Sequence, residues 1–80
     1  LEVVAAAPEA ARWVDGYECV VAEAEAQAVG LLLYRLVAGE GEILNLAVAP
    51  AWRRRGVARQ LWAAVQSKAE LWHLEVRASN

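Results

Sequence analysis

Apolar and polar positions alternate, or form short apolar runs, in the first half of the chain. Residues 17–23 are rich in β-branched side chains and partly alternate, which predicts a strand. A nearly continuous apolar run over residues 28–37 predicts a second strand, covered on both faces. Residues 24–27 would connect the two, although they lack the Gly or Asn that a tight hairpin prefers. A turn at residues 39–41 then precedes a third predicted strand over residues 42–48, which Pro50 ends.

The period changes to 3.6 residues after the third strand. The repeat predicts an amphipathic helix from about Gly56 to Lys68 or Glu70, with apolar positions at Val57, Ala58, Leu61, Trp62, Ala64 and Val65. Residues 71–77 predict a final strand, which residues 78–80 leave.

The alanine-rich start of the chain predicts helix. Residues 1–7 would form one or two helical turns, which Pro8 ends or redirects; Pro8 could equally start a second short turn through Arg12. The element order of helix, three strands, helix and strand predicts an α+β fold. In this fold three antiparallel strands are followed by a right-handed helix crossover to a parallel fourth strand.

Length and composition restrict the classes of protein. The chain has 80 residues, which predicts a single domain or less, and its apolar fraction of 59% indicates a rich core or surfaces meant to be covered. No apolar run approaches the about 20 residues of a membrane span. A net charge of −2 argues against nucleic acid as a partner.

The remaining single residues carry little predicted chemistry. Cys19 is the only cysteine, which fits a reducing cytoplasm, and it reads as a small core residue. His73 has no metal-ligand spacing around it, so no metal site is expected. The four tryptophans, at positions 13, 52, 62 and 72, are expected to pack in or around the core. No signal peptide is visible at the start of the sequence.

The chemistry-bearing segment is residues 45–59, where a strand enters a basic loop that opens a helix. Unpaired N–H groups at a helix start, together with the helix dipole, favour an anion. Gly56 and Ala58 would let a diphosphate approach the main chain, and Arg53, Arg54 and Arg55 add charge-assisted contacts. The segment predicts a phosphate-bearing ligand. It has neither the Gly-Lys-Ser/Thr of a Walker loop nor a Gly-x-Gly-x-x-Gly fingerprint.

Arg53-Arg54-Arg55-Gly56-Val57-Ala58 resembles the acetyl-CoA signature of GNAT-family N-acetyltransferases, Gln/Arg-x-x-Gly-x-Gly/Ala. The segments Ile-Leu-Asn-Leu-Ala-Val-Ala-Pro at 43–50 and Leu-Glu-Val-Arg-Ala-Ser-Asn at 74–80 resemble the RimI branch, which acetylates the N-terminal amine of a ribosomal protein. The resemblance implies a single partial GNAT domain over residues 1–80, with an acetyl-CoA-binding core at about 17–80.

The same resemblance implies roles for individual residues. The backbone of Leu46, Ala47 and Val48 would hold the pantetheine arm, with one N–H facing the thioester oxygen. Glu75 matches the family's general base, and Asn80 matches an Asn that contacts the cofactor. The diphosphate would be wrapped by Arg53, Arg54, Arg55, Gly56, Val57, Ala58 and Arg59. The amine would attack the thioester directly, so no nucleophilic Cys or Ser is required.

Departures from the family pattern leave alternatives open. GNAT enzymes continue past the position of Asn80 with a helix and two strands, which carry a tyrosine general acid. The first strand and first helices are expected to be absent or reduced here, and the short link to Leu74 requires the helix to end around Ser67. The chain is therefore expected to be an acetyl-CoA-dependent N-acetyltransferase acting on a protein or peptide amine. The alternatives are a non-catalytic module that binds CoA or a protein partner, and a basic-loop nucleic-acid binder. An exposed apolar edge strand would favour a homodimer.

Overall fold

The computed structural model describes residues 1–5 and 17–74 and contains five strands and one α-helix. In chain order these are β1 (Glu2–Ala5), β2 (Glu18–Ala24), β3 (Gln27–Val37), β4 (Glu40–Val48), α1 (Val57–Val65) and β5 (Leu71–Leu74). Two 3₁₀ turns, Pro50–Trp52 and Gln66–Lys68, flank α1. The turn predicted through Arg12, the residue Trp13, and residues 75–77 of the predicted final strand lie outside the described residues.

The strands form one mixed sheet in the order β1-β2-β3-β4-β5. Neighbours are antiparallel except β4 and β5, which pair in parallel from Glu40↔Leu71 to Ile43↔Leu74. The prediction of three antiparallel strands and a helix crossover to a parallel strand is thereby confirmed for β2 to β5.

The helix predicted for residues 1–7 is wrong over the residues that the structure describes, because Glu2–Ala5 is a strand. Val3 and Val4 lie opposite Ala22 and Val21 of β2, and the β-branched side chains favour an extended backbone once a partner strand is present. The first strand is therefore present but reduced to four residues, which agrees with the expectation of a reduced strand, and the described sheet has five strands.

Both hairpins turn on left-handed residues. Glu25 and Ala26 have φ of 53° and 64°, and Ala38 and Gly39 have φ of 53° and 82°. Two consecutive residues with positive φ match the right-handed twist of paired strands, which makes such turns the favoured hairpin connection. As a result β4 begins at Glu40, two residues earlier than the turn signal had indicated.

The core lies between α1 and one face of the sheet. Val57, Leu61 and Val65 are buried at successive turns of the helix and meet the buried side chains of the sheet. Those sheet residues are Val20, Ala22, Ala24, Val29, Leu32, Tyr34 and Ile43. Ala64, predicted on the apolar face, is exposed. The opposite face of β3, at Leu31 and Leu33, is only half-buried, so this strand is not fully covered on both sides as predicted.

A close approach at Gly30 fixes the start of the helix over the sheet. A Cβ placed on Gly30 would lie 2.8 Å from Val57 Cγ1 and 3.3 Å from Leu61 Cδ1. Real Cβ atoms do not approach other carbons that closely, so only glycine allows α1 to pack at this distance. The first turn of α1 is thereby held over β3.

The return from α1 to β5 is short, as the sequence required. The α-helix ends at Val65, and the 3₁₀ turn Gln66–Lys68 completes the helical segment near the predicted end at Ser67. The indole Nε1–H of Trp72 donates to the carbonyls of Gln66 and Ala69 at 3.0 and 3.2 Å. These bonds satisfy carbonyl groups at the end of the helix and tie it to the last strand.

Candidate functional site

The junction between β4 and α1 presents unpaired backbone donors. Gly56 is the residue before the helix and has φ 81° and ψ 12°, a left-handed conformation that favours glycine. The Gln60 N–H donates to the Gly56 carbonyl at 3.0 Å and makes the first turn of the helix. The N–H groups of residues 57–59 precede this bond and so have no acceptor within the helix, which leaves them free for an anion.

A cavity of about 390 Å³ lies at this junction. Its lining consists of the loop, the first turn of the helix and the end of β4: Val48, Trp52, Arg53, Arg54, Gly56, Val57, Ala58 and Arg59. The arginine side chains are exposed, and an added Cβ on Gly56 would have nothing within 4 Å. Open space, backbone donors and positive charge therefore coincide.

The three consecutive arginines are held differently. The Arg53 Nε–H donates to the Val48 carbonyl at 3.3 Å, and the Arg55 guanidinium lies 5.0 Å from the centroid of the Trp52 ring. Arg54 has φ 64°, a left-handed conformation that costs a non-glycine residue about 1–2 kcal/mol. Strain of this kind tends to persist at functional sites.

One edge of β4 carries backbone groups that β3 does not use. The Ala49 N–H donates to the Val29 carbonyl at 2.8 Å, and Leu31↔Ala47 is two positions away in the same register. Because bonding alternates along an antiparallel ladder, the backbone groups of Leu46 and Val48 point away from β3. The contact from the arginine loop to the Val48 carbonyl is made on this outer side. The described pairing of this edge with β5 ends at Ile43↔Leu74.

A second cavity, of about 590 Å³, follows this edge and is lined by Asn45, Leu46, Ala47, Val48, Arg53 and Ala58. The two cavities share Val48, Arg53 and Ala58. We call the joined cavities the β4 channel. It leads from the start of α1 along the edge of β4 that neither β3 nor the described part of β5 pairs with, which we call the open edge.

The β4 channel brings together nine of the eleven residues predicted to bind the cofactor. Arg55 instead covers Trp52, and Asn80 lies outside the described residues, as does the predicted base Glu75. Two lining residues were missed. Trp52, expected to pack around the core, also lines the channel, and its place directly before the arginines was the available signal. Asn45 is exposed at the strand edge; it begins the segment predicted to carry the chemistry but was given no role of its own.

Other candidate side chains have local partners. Burial raises the pKa of the Cys19 thiol, which keeps it protonated and makes it a weak nucleophile. His73 Nε2 lies 2.7 Å from Glu40 Oε1 across the β4–β5 pair.

None of the helices within residues 1–5 and 17–74 combines the length and apolarity that a bilayer crossing requires.

Solved structures of acetyltransferases are similar to this fold. A ribosomal-protein-alanine N-acetyltransferase from Brucella melitensis biovar Abortus 2308 matches with a TM-score of 0.84 at 14% identity, over 99% of this chain and 82% of its own. The aminoglycoside N-acetyltransferase AAC(6')-Iy, solved in complex with CoA, matches with a TM-score of 0.70 at 26% identity, over 90% of this chain and 64% of its own. The ribosomal-protein-S18-alanine N-acetyltransferase of Escherichia coli matches with a TM-score of 0.70 at 26% identity, over 90% of this chain and 50% of its own.

The chain therefore spans between half and about four fifths of these proteins. A search of curated proteins found no match. The family model described as an acetyltransferase (GNAT) domain matches residues 2–80, nearly the whole chain. With the sheet, the crossover and the glycine at the start of α1 in place, the chain belongs to the GNAT acetyltransferase family.

Proposed function

We propose that this chain is the acetyl-CoA-binding part of an N-acetyltransferase that acts on a primary amine, with a protein N-terminal amine as the acceptor. The observation that carries the proposal is the β4 channel, because it connects a cationic helix start to a strand edge that the described residues leave unpaired beyond Ile43. Acetyl-CoA has the matching chemistry, with a diphosphate at one end and the amide-bearing pantetheine arm beyond it. The acetyl-CoA is the substrate that supplies the acetyl group as a thioester.

The helix start fits the diphosphate. The N–H groups of residues 57–59 and the arginines offer donors and positive charge, and Gly56 leaves room at the backbone. A pantetheine arm leaving this point would meet the outward backbone groups of Val48 and then Leu46. Its amides would pair with the strand edge as a further strand would.

The proposed reaction needs no covalent enzyme intermediate. The amine nitrogen bonds to the thioester carbonyl carbon, the carbon–sulfur bond breaks, and CoA leaves as a thiolate that takes up a proton. In the proposal Leu46 N–H faces the developing oxyanion, a position where one donor is worth about 10²–10³ in rate in other enzymes. Glu75 is the proposed base that takes the proton of the amine. The protonated Cys19 thiol is consistent with direct transfer.

The acceptor is argued from the similar structures. Two of them are named as N-acetyltransferases of a ribosomal-protein alanine, in one case of ribosomal protein S18, and one as an aminoglycoside N-acetyltransferase. All three names specify an amine acceptor. The RimI-like segments of this sequence favour a protein amine over an aminoglycoside, and we propose the reducing cytoplasm as the location of the reaction. A module that binds CoA without turnover is the second candidate, because the donors and cations of the β4 channel fit CoA itself as well as acetyl-CoA.

Two measurements on the same protein separate these candidates. Calorimetric titration with CoA tests the β4 channel, and release of free CoA thiol from acetyl-CoA is followed with peptides that begin with Ala or Ser. Binding together with peptide-dependent thiol release supports the enzyme, whereas binding without release supports the module. If CoA does not bind, both fail. A steeply salt-dependent affinity for DNA or RNA would then favour the nucleic-acid alternative.

A further inference from the structure

A third cavity lies on the helix side of the sheet, beyond the channel. It measures about 340 Å³ and is lined by Leu32, Ile43, Leu46, Trp62, Trp72 and Leu74. All six lining residues are aliphatic or aromatic. We call it the tryptophan pocket.

The tryptophan pocket adjoins the β4 channel at Leu46, which lines both cavities. The backbone of Leu46 points to the open edge of β4, as shown above. Its side chain stands beside that of Leu32, its register partner, on the face that α1 covers. The tryptophan pocket therefore opens beside any group that is bound at the Leu46 N–H, because the side chain of the same residue lines the pocket.

The walls of this pocket are held in place by contacts of their own. The rings of Trp62 and Trp72 pack edge to face with centroids 5.1 Å apart. The single polar atom of the Trp72 ring is engaged by the carbonyls at the end of the helix, so the ring presents carbon to the pocket. Leu32 and Ile43 form a buried floor with 0% and 4% exposure, whereas Leu74 is a rim residue with 74% exposure.

We propose that the tryptophan pocket binds the hydrocarbon tail of an acyl-CoA longer than acetyl-CoA. The donor substrates of this protein would then include acyl-CoA thioesters with linear acyl groups of about four to six carbons. The inference rests on the proposed function, because it places the thioester near Leu46. The pocket is larger than the methyl group of an acetyl needs. Because its lining is entirely apolar, it stabilises a ligand through the burial of apolar surface.

The transfer itself is unchanged by the longer group. The amine nitrogen forms a bond to the acyl carbonyl carbon, the carbon–sulfur bond breaks, and the leaving CoA thiolate takes up one proton. One proton of the ammonium goes to the base. The product is an N-acylated amine whose acyl chain is the one that the pocket held.

The test is a series of titrations with CoA, acetyl-CoA, butanoyl-CoA and hexanoyl-CoA, without an acceptor so that no turnover occurs. Full burial of each methylene is worth about 0.8 kcal/mol, which is about a fourfold gain in affinity. We expect hexanoyl-CoA to bind at least about tenfold more tightly than acetyl-CoA, because part of each methylene stays exposed. Equal or falling affinity along the series overturns the inference while CoA binding keeps the proposed function standing.

Two leucines of β5 provide a matched pair of variants. Leu74→Trp places a larger ring at the rim of the tryptophan pocket, and Leu71→Trp makes the same change at an exposed position on the other face of the strand. Both positions are exposed, at 74% and 53%, so neither change strains the core. We expect Leu74→Trp to flatten the chain-length series and Leu71→Trp to keep it.

Each other outcome has a definite meaning. If the gain in affinity with acyl length persists in Leu74→Trp, or if Leu71→Trp loses it equally, the acyl groups adsorb to apolar surface in general. Either result would overturn the proposed role of the tryptophan pocket. Failure of CoA itself to bind the parent protein would instead remove the proposed function, and this inference with it.

Discussion

Gly39 and Gly56 offer a controlled test of the diphosphate site proposed at the start of α1. They have nearly the same positive φ, 82° and 81°, and neither would have an atom within 4 Å of an added Cβ. Gly39→Glu and Gly56→Glu therefore impose the same backbone penalty, about 1–2 kcal/mol. They also add the same single negative charge. Only Gly56 adjoins the free N–H groups of the helix, so a difference in ligand binding reports on that location.

The expected effect on CoA follows from the charge. A carboxylate about 4 Å from one diphosphate charge is repelled by about 4 kcal/mol at the effective dielectric constant typical of protein surfaces. Flexibility of the side chain and salt reduce this figure, so we expect Gly56→Glu to lose at least about 2.7 kcal/mol, a hundredfold in affinity. Gly39→Glu lies in the β3–β4 turn and should bind CoA about as the parent does.

The assay is calorimetric titration of CoA at low and moderate salt, alongside urea unfolding of both variants. The two unfolding free energies should fall together, and the affinity should fall only for Gly56→Glu and partly recover with salt. If both variants bind CoA like the parent, the helix start is not the diphosphate site. If both lose binding equally, the loss reflects stability rather than the diphosphate site.

Three further predictions use other strained or buried positions. Gly30→Ala would place a Cβ 2.8 Å from Val57 Cγ1, so urea unfolding should show a loss of about 1–3 kcal/mol, and an unchanged midpoint would contradict the close approach. Arg54→Gly should raise the unfolding free energy by about 1 kcal/mol by relieving the left-handed backbone while weakening CoA binding by about 1–2 kcal/mol, and retained affinity in titration would exclude a contact. Burial raises the pKa of Tyr34 to about 12 from about 10, and so does the neighbouring Glu18, which accepts a hydrogen bond from the Tyr34 hydroxyl. Because this tyrosine ionises at lower pH in the unfolded state than in the folded state, the free energy of unfolding should fall by about 2–3 kcal/mol between pH 10 and 12. Tyr34→Phe should flatten that fall in urea unfolding at each pH, and an equally steep fall in the variant would exclude Tyr34 as its cause.

Local signals predicted the elements whose partners are close in sequence. The helical repeat gave α1 because Val57, Leu61 and Val65 recur within one element, and the loop before it carries its own arginines and glycine. The chain start was mispredicted because alanine content favours helix only until a partner strand competes. Val4 lies opposite Val21, and that pairing is invisible to a window of a few residues.

The left-handed turn at Glu25 and Ala26 also lacked a sequence signal. Neither residue is Gly or Asn, the usual occupants of positions with positive φ, so the connection could be located but its geometry could not be predicted. By contrast, Gly39 marked its turn correctly, and only the extent of the following strand was underestimated. Because the turn itself uses only two residues, Glu40 and Gly41 belong to β4 although they were predicted to lie in the turn.

One extra residue in β4 determines which groups of Leu46 face the β4 channel and the tryptophan pocket. Leu33 pairs with Asn45 and Tyr34 with Ile43, which leaves Leu44 as a bulge without a register partner. Counted from the β3–β4 hairpin without a bulge, the backbone of Leu46 would bond to β3 and its side chain would lie on the face away from α1. The bulge reverses both. It turns the Leu46 N–H to the open edge and its side chain toward Trp62, so a single inserted residue joins the proposed thioester position to the apolar pocket beside it.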